Sequence, residues 1–264
     1  MQIKGDIMDI IDFHTHPFID ESTNICQHKE YFEQTPDDTV PYLKNMGINK
    51  ICGSVIAKWN ADIGFQNIIE ANNTALKLKE LYGDFYVPGM VLSPEYVKES
   101  LEEIERMHSH GVKLIGELVS RHLGTWSSYN TKEFSEIFDL AAQYEMVVNI
   151  HNCDTEDMEA AVKNNKNVNF VIAHPGEYPV YMRHLERMKK YENYHLDLSG
   201  TGLFRHGMLR RGINECGVER FLFGTDYPVC NPGMYVGGIL NDSLITDSEK
   251  EAVLSKNAKR LLKL

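Results

Sequence analysis

Short apolar runs rich in β-branched residues alternate along the chain with longer stretches of helical spacing, and this alternation confines it to βαβ units around a parallel sheet. The runs fall at 8–13, 50–56, 85–92, 112–118, 146–150, 168–173, 194–198 and 220–224. Helical spacing falls at 37–45, 65–81, 94–108, 132–144, 155–164, 179–190 and 205–214, with a last stretch at 247–262. Eight strands paired with eight helices match a (β/α)8 TIM barrel, an α/β fold of the size that 264 residues provide. No Gly/Ser-rich or Pro-rich linker divides the sequence, so one domain is expected over 1–264.

Local signals agree with the periodicity. In the third helical stretch Val97, Leu101, Ile104 and Met107 form one apolar stripe, Ser93 stands at the N-cap before Pro94, and Gly111 can close the helix in the left-handed region. Phe134, Ile137, Phe138 and Ala141 repeat the stripe in the fourth. Two connections, 17–36 and 226–247, are longer than their neighbours, and both follow strands, where barrel enzymes carry active-site loops.

The strands end abruptly in groups that bind metals. The first runs into His14 and His16, the fifth into His151, the sixth into His174 and the eighth into Asp226, while Glu117 closes the fourth. Parallel strands of one barrel open their C-terminal ends at the same mouth, so residues distant in sequence converge there. His14 and His16, two positions apart, place both imidazoles on one strand face, and a carboxylate adds the negative charge that a divalent ion needs. Glu117 reads either as a carboxylate bridging two ions or as one that orients a ligating histidine. Asp197 and Ser199 read as structural, and His28, His108, His110, His184 and His195 show no convergent pattern.

The motifs Asp12-Phe13-His14-Thr15-His16-Pro17, His174-Pro175-Gly176, Asp197-Leu198-Ser199-Gly200, Gly224-Thr225-Asp226-Tyr227-Pro228 and Asn257-Ala258 resemble the amidohydrolase superfamily, in its amidohydrolase-related branch of metal-dependent hydrolases. The resemblance spans nearly the whole chain. It implies a (β/α)8 barrel with His14, His16, His151 and Asp226 as metal ligands. It also implies that His174 activates water in a one-metal site or holds the second ion of a two-metal site. The lysine that some members carry at the end of the fourth strand is replaced by Glu117, similar to TatD-type deoxyribonucleases. Several relatives in the same branch are nonoxidative decarboxylases.

The expected chemistry follows from a divalent ion, with zinc the first choice and one or two ions per chain. Such an ion lowers the pKa of its water toward about 7, generating hydroxide at neutral pH. Asp226 would accept the water proton and deliver it to the leaving group, Glu117 would bridge two ions with the hydroxide or His174 would hold and activate the water at one, and hydrolysis of an amide, ester or lactone of a small molecule is the leading expectation. Decarboxylation of a small aromatic or unsaturated acid comes second, and phosphodiester hydrolysis third. A non-enzymatic sensor that keeps the barrel is a different class, distinguished by lack of turnover. Arg121 and Arg205, in loops after strands, are candidates to clamp a substrate carboxylate, with Trp59, Trp126 and Tyr227 as apolar walls. A net charge of −11 repels nucleic acid and anionic membrane, and no apolar run approaches a membrane span or a signal peptide. Five cysteines, odd in number and never in a C-x-x-C pair, fit neither a disulfide framework nor a zinc ribbon. A cytoplasmic protein is expected, acting on a small molecule, with self-association left open.

Overall fold

The structure, a computed structural model, describes residues 8–31, 34–56, 58–153, 155–202 and 205–264. Positions 32 and 33 of the long connection 17–36, and the first seven residues of the expected domain, lie outside the described residues. Eight strands, β1 (Ile11–Asp12), β2 (Lys50–Gly53), β3 (Tyr86–Met90), β4 (Leu114–Leu118), β5 (Val147–His151), β6 (Asn169–Ala173), β7 (Tyr194–Asp197) and β8 (Phe221–Leu222), pair in parallel and in sequence order. The cylinder closes where β1 meets the end of β8. Phe13 N donates to Phe223 O at 2.8 Å, Asp226 N donates to His14 O at 2.9 Å, and Thr15 and Tyr227 form a parallel bridge. The expected barrel is therefore present.

Helices α1 (Pro36–Asn45), α2 (Gln66–Tyr82), α3 (Val97–Ser109), α4 (Ser120–Leu123), α5 (Lys132–Gln143), α6 (Glu156–Asn164), α7 (Tyr178–Lys190), α8 (Met208–Cys216), α9 (Pro232–Leu240), α10 (Asp247–Glu251) and α11 (Asn257–Leu262) surround the sheet. On α3 the buried face holds Ile104 and Met107, with Val97 and Leu101 half-buried; Ser93 Oγ accepts from Glu95 N at 3.3 Å and so caps a 3-10 turn, Pro94–Tyr96, that leads into the helix, and Gly111 after it has φ +82°. On α5 all four stripe residues are buried.

Alternation along the strands sorts two cores. Ile11, Phe13, Cys52, Leu114, Val147, Val171 and Leu222 fill the interior, where Ala258, Leu261 and Leu262 of α11 pack against them. The opposite strand faces meet the helices in a larger cluster that includes Ile51, Tyr86, Ile115, Phe170 and Phe221. Several strands are shorter than the apolar runs from which they were read. The runs at 8–13, 50–56 and 220–224 shrink to two, four and two ladder residues, because the chain leaves regular pairing where it turns to present polar groups. α9 was read as part of a loop. Its segment PGMYVGGIL carries three glycines and a leading proline, which hide the helix, yet Asn231 Oδ1 caps Gly233 N at 2.9 Å and proline suits the first turn. The last helical stretch passes through a π-helical segment at Ala252–Lys256. No helix of the described residues is long and apolar enough to cross a membrane.

Candidate metal centre

The strand ends do converge. His14 Nε2 lies 3.1 Å from His16 Nε2 and 3.7 Å from both Glu117 Oε2 and Asp226 Oδ1. His16 Nε2 lies 3.5 Å from each of the same two oxygens. Ligands on one ion with bonds of about 2.0–2.2 Å stand roughly 3–3.6 Å from one another, so this spacing fits a divalent cation. Two triads, His14–His16–Asp226 and His14–Glu117–His174, each bring one donor atom per residue within 4.8 Å of the others. Nitrogen from imidazole and oxygen from carboxylate make a mixed set that zinc and manganese both accept.

His151 sits at the edge of this set. Its Nδ1 is 2.6 Å from Glu117 Oε1, and the same oxygen lies 3.3 Å from His174 Nε2. Glu117 thus faces His14 and His16 with one oxygen, and His151 and His174 with the other.

Local backbone conformation aims these groups. Asp12, fully buried, accepts from Thr225 N at 3.0 Å, from Thr225 Oγ1 at 2.6 Å and from His14 N at 3.2 Å, which ties the end of β1 to the end of β8. Burial lifts its carboxyl to about 7, its hydrogen bonds opposing only in part. His174 and Asp226 both have left-handed backbone, at φ +67° and +65°. Side-chain-bearing residues adopt that region at a cost of about 1–3 kcal/mol, which marks both positions as functional candidates. Gly200, at φ +59°, leaves room beside His174, since a Cβ there would meet Nδ1 at 2.3 Å. Gly200→Ala is therefore expected to cost about 1–3 kcal/mol and to lower Tm by several degrees, read by thermal unfolding.

Charge coupling runs through the cluster. Burial opposes a charge on His14, but the carboxylates of Asp197 and Glu117 outweigh it and lift the imidazole to about 10. Burial likewise opposes charge on His174, and Glu117 raises it nonetheless. Glu117 is held well below the carboxylate range, because His14 and the other histidines overcome its burial. Asp226 moves the other way: burial raises it beyond what His14 and His16 take back.

The remaining candidates divide. Arg121 is exposed on the wall of a cavity of about 950 Å³ that includes Lys58, Trp59 and His122, and its Nε donates to His122 Nε2 at 3.1 Å. Burial, with the Arg121 guanidinium beside it, pulls His122 down to about 4, so its ring is neutral at physiological pH. Arg205, also exposed, lines a separate cavity of about 660 Å³ with Leu198, Phe223 and Tyr235. Trp126 packs edge-on against Phe134, and Tyr227 is buried against Tyr42. Only Trp59 of the three expected wall residues lines the Arg121 cavity. Asp12 and Asp197 received no site role from the sequence. A signal was available for both: each is a carboxylate at the end of a strand, level with the histidines.

Comparisons with known proteins follow the same lines. A family model described as Amidohydrolase matches residues 11–264. Gamma-resorcylate decarboxylase of Rhizobium radiobacter is 33% identical over 90 residues, which is 34% of this chain and 26% of the relative, so the match spans about a quarter of that protein. The crystal structure of 2,6-dihydroxybenzoate decarboxylase from Rhizobium superposes with a TM-score of 0.76 at 16% identity, covering 97% of this chain and 99% of the other. A dihydroxybenzoic acid decarboxylase from a Polaromonas species, with bound manganese and the inhibitor 2-nitroresorcinol, gives 0.72 at 14% identity, covering 97% of each chain. At those identities the structural likeness speaks for the fold. The expectation of hydrolysis, whether of an amide, ester, lactone or phosphodiester bond, is overturned in favour of the second expectation by the curated relative, which is a gamma-resorcylate decarboxylase. The histidines and carboxylates that suit hydroxide delivery suit the binding of an acidic substrate equally well, which is why residue types alone pointed to the wrong reaction.

Proposed function

From the premise that the chain belongs to the amidohydrolase family, we propose that it is a metal-dependent nonoxidative decarboxylase of a small hydroxylated aromatic acid. The observation that carries this reading is the 33% identity over 90 residues with gamma-resorcylate decarboxylase, and the donor cluster at the barrel mouth supports it. His14, His16 and Asp226, with Glu117 Oε2, would hold the ion, and the manganese of the Polaromonas enzyme makes Mn²⁺ the first choice over zinc. One ion per chain is the reading proposed, with His151, whose Nδ1 lies 2.6 Å from Glu117 Oε1, hydrogen-bonded to that carboxylate and not sharing the ion with it.

The ion, when bound, supplies positive charge that draws a substrate carboxylate and a neighbouring hydroxyl oxygen to the mouth. The protein's own groups do the rest. Asp226, whose Oδ1 stands among the ion's donors, would relay a proton from solvent through its other oxygen to the ring carbon that bears the carboxylate. The bond from that carbon to the carboxyl then breaks, its electron pair returns to the ring, and carbon dioxide leaves. His174, partly exposed at the mouth with Nε2 3.3 Å from Glu117 Oε1, would help to hold the substrate's acid group. Arg121, on the cavity wall, holds a polar substituent at the far side of the ring.

Mn²⁺-loaded protein incubated with 2,6-dihydroxybenzoate in D₂O is expected to release carbon dioxide and give resorcinol with one deuterium at the former carboxyl position. 2-Nitroresorcinol is expected to compete. Release of no carbon dioxide from any ortho-hydroxybenzoate by metal-replete protein would end the proposal.

A further inference from the structure

Below the donor cluster lies a buried carboxylate, and its contacts reach further than a structural role requires. Asp197 ends β7 fully buried, and its two oxygens accept from five groups. Oδ2 takes His14 Nδ1 at 2.9 Å and Asn149 Nδ2 at 3.2 Å. Oδ1 takes Ser199 N at 3.0 Å, Ser199 Oγ at 2.5 Å and His174 N at 3.2 Å. Because Ser199 Oγ spends its proton on Asp197, it is left to accept from His174 Nδ1, 3.0 Å away, beside the Ser199 carbonyl at 3.2 Å.

We propose that Asp197 and Ser199 are positioning residues, which together fix the ring orientation and Nδ1–H tautomer of His14 and His174 and so point both Nε2 atoms into the metal site. The chain of contacts is continuous: His174 Nδ1 donates to Ser199 Oγ, Ser199 Oγ donates to Asp197 Oδ1, and His14 Nδ1 donates to Asp197 Oδ2. A carboxylate only accepts, so the His14 nitrogen facing it carries the hydrogen and the opposite nitrogen supplies the lone pair. One residue thereby sets two rings on different strands. Two of its bonds, to Ser199 N and His174 N, shape backbone and would suffice for a purely structural aspartate. Those to His14 Nδ1 and Ser199 Oγ have no backbone to support; they act on the imidazoles.

The inference rests on the cluster holding a metal, as proposed above, but not on the reaction. Asp197→Asn keeps an oxygen for the backbone donors and sets an amide N–H against His14 Nδ1–H. Ser199→Ala removes only the hydroxyl. Calorimetric titration with Mn²⁺ alone is expected to show affinity about 10- to 100-fold weaker in Asp197→Asn and several-fold weaker in Ser199→Ala. In Zn²⁺-loaded protein the slowly exchanging Nδ1–H signal of His14 is expected to vanish or move in the first variant, and that of His174 in the second. Asp157→Asn, whose carboxylate holds Ser128 Oγ and Tyr129 N in a loop, controls for loss of a structural aspartate and is expected to leave Mn²⁺ affinity unchanged. Folded variants with wild-type affinity and unmoved ring signals would overturn the proposal; if Asp197→Asn does not fold, Ser199→Ala decides by the same two measurements. Wild-type protein that takes up no Mn²⁺ sinks the metal reading instead, so the two failures are distinct.

Discussion

His16→Ala is expected to release the metal and to cut turnover by about three orders of magnitude while the barrel stays folded. His16 Nε2 stands within 3.1–3.5 Å of His14 Nε2, Glu117 Oε2 and Asp226 Oδ1, so its loss takes one donor out of the set proposed to hold the ion. A metal acting on an oxygen anion contributes several kcal/mol to the transition state, and each 1.36 kcal/mol is about tenfold in rate. The fold tolerates the change better. Truncation frees one carbonyl, that of Ser54, from its 3.0 Å bond to Nδ1, while the backbone bond from His16 N to Tyr227 O remains. Elemental analysis, circular dichroism and carbon dioxide release measured on one preparation check all three parts. A variant that keeps a full complement of Mn²⁺ would show that His16 is not a ligand.

The barrel was legible because its evidence is redundant. Eight apolar runs and their helical partners each repeat the same message, and the cap at Ser93 and the close at Gly111 agree with it. The convergence of the donor side chains was legible for a related reason: parallel strands carry their last residues to one mouth whatever the distance in sequence, so His14, His174 and Asp226 could be placed together before any coordinates. What escaped is of another kind. α9 escaped because glycines suppress the helical signal even though neighbouring contacts and an Asn231 cap restore the helix. Arg205 and Arg121 both follow strands, and which cavity each one lines shows only in the folded chain. Asp197 looked structural because a sequence shows a carboxylate at a strand end without showing that a histidine from another strand lies 2.9 Å away. Decarboxylation stood second to hydrolysis for a chemical reason, since one donor set serves hydroxide attack and carboxylate binding alike.

Metal affinity is expected to climb with pH across the neutral and alkaline range, with proton release accompanying uptake. In the metal-free protein the neighbouring carboxylates lift His14 to about 10, so at pH 7 its imidazole carries two protons. A ligand must offer a lone pair, and binding therefore expels at least one of them. Below pH 10 the binding constant should increase by about tenfold per unit for each proton released, until hydroxide competes for the ion. Stability of the metal-free protein runs oppositely. A histidine whose folded pKa exceeds its ordinary 6.5 contributes stability that is full below 6.5 and is lost as pH climbs through 10. The Tm increment on adding Mn²⁺ should therefore widen from pH 6.5 toward pH 9. Calorimetric titration in buffers of different ionisation enthalpy counts the protons directly, and uptake with no proton released at pH 7 would place His14 outside the first ligands of the ion.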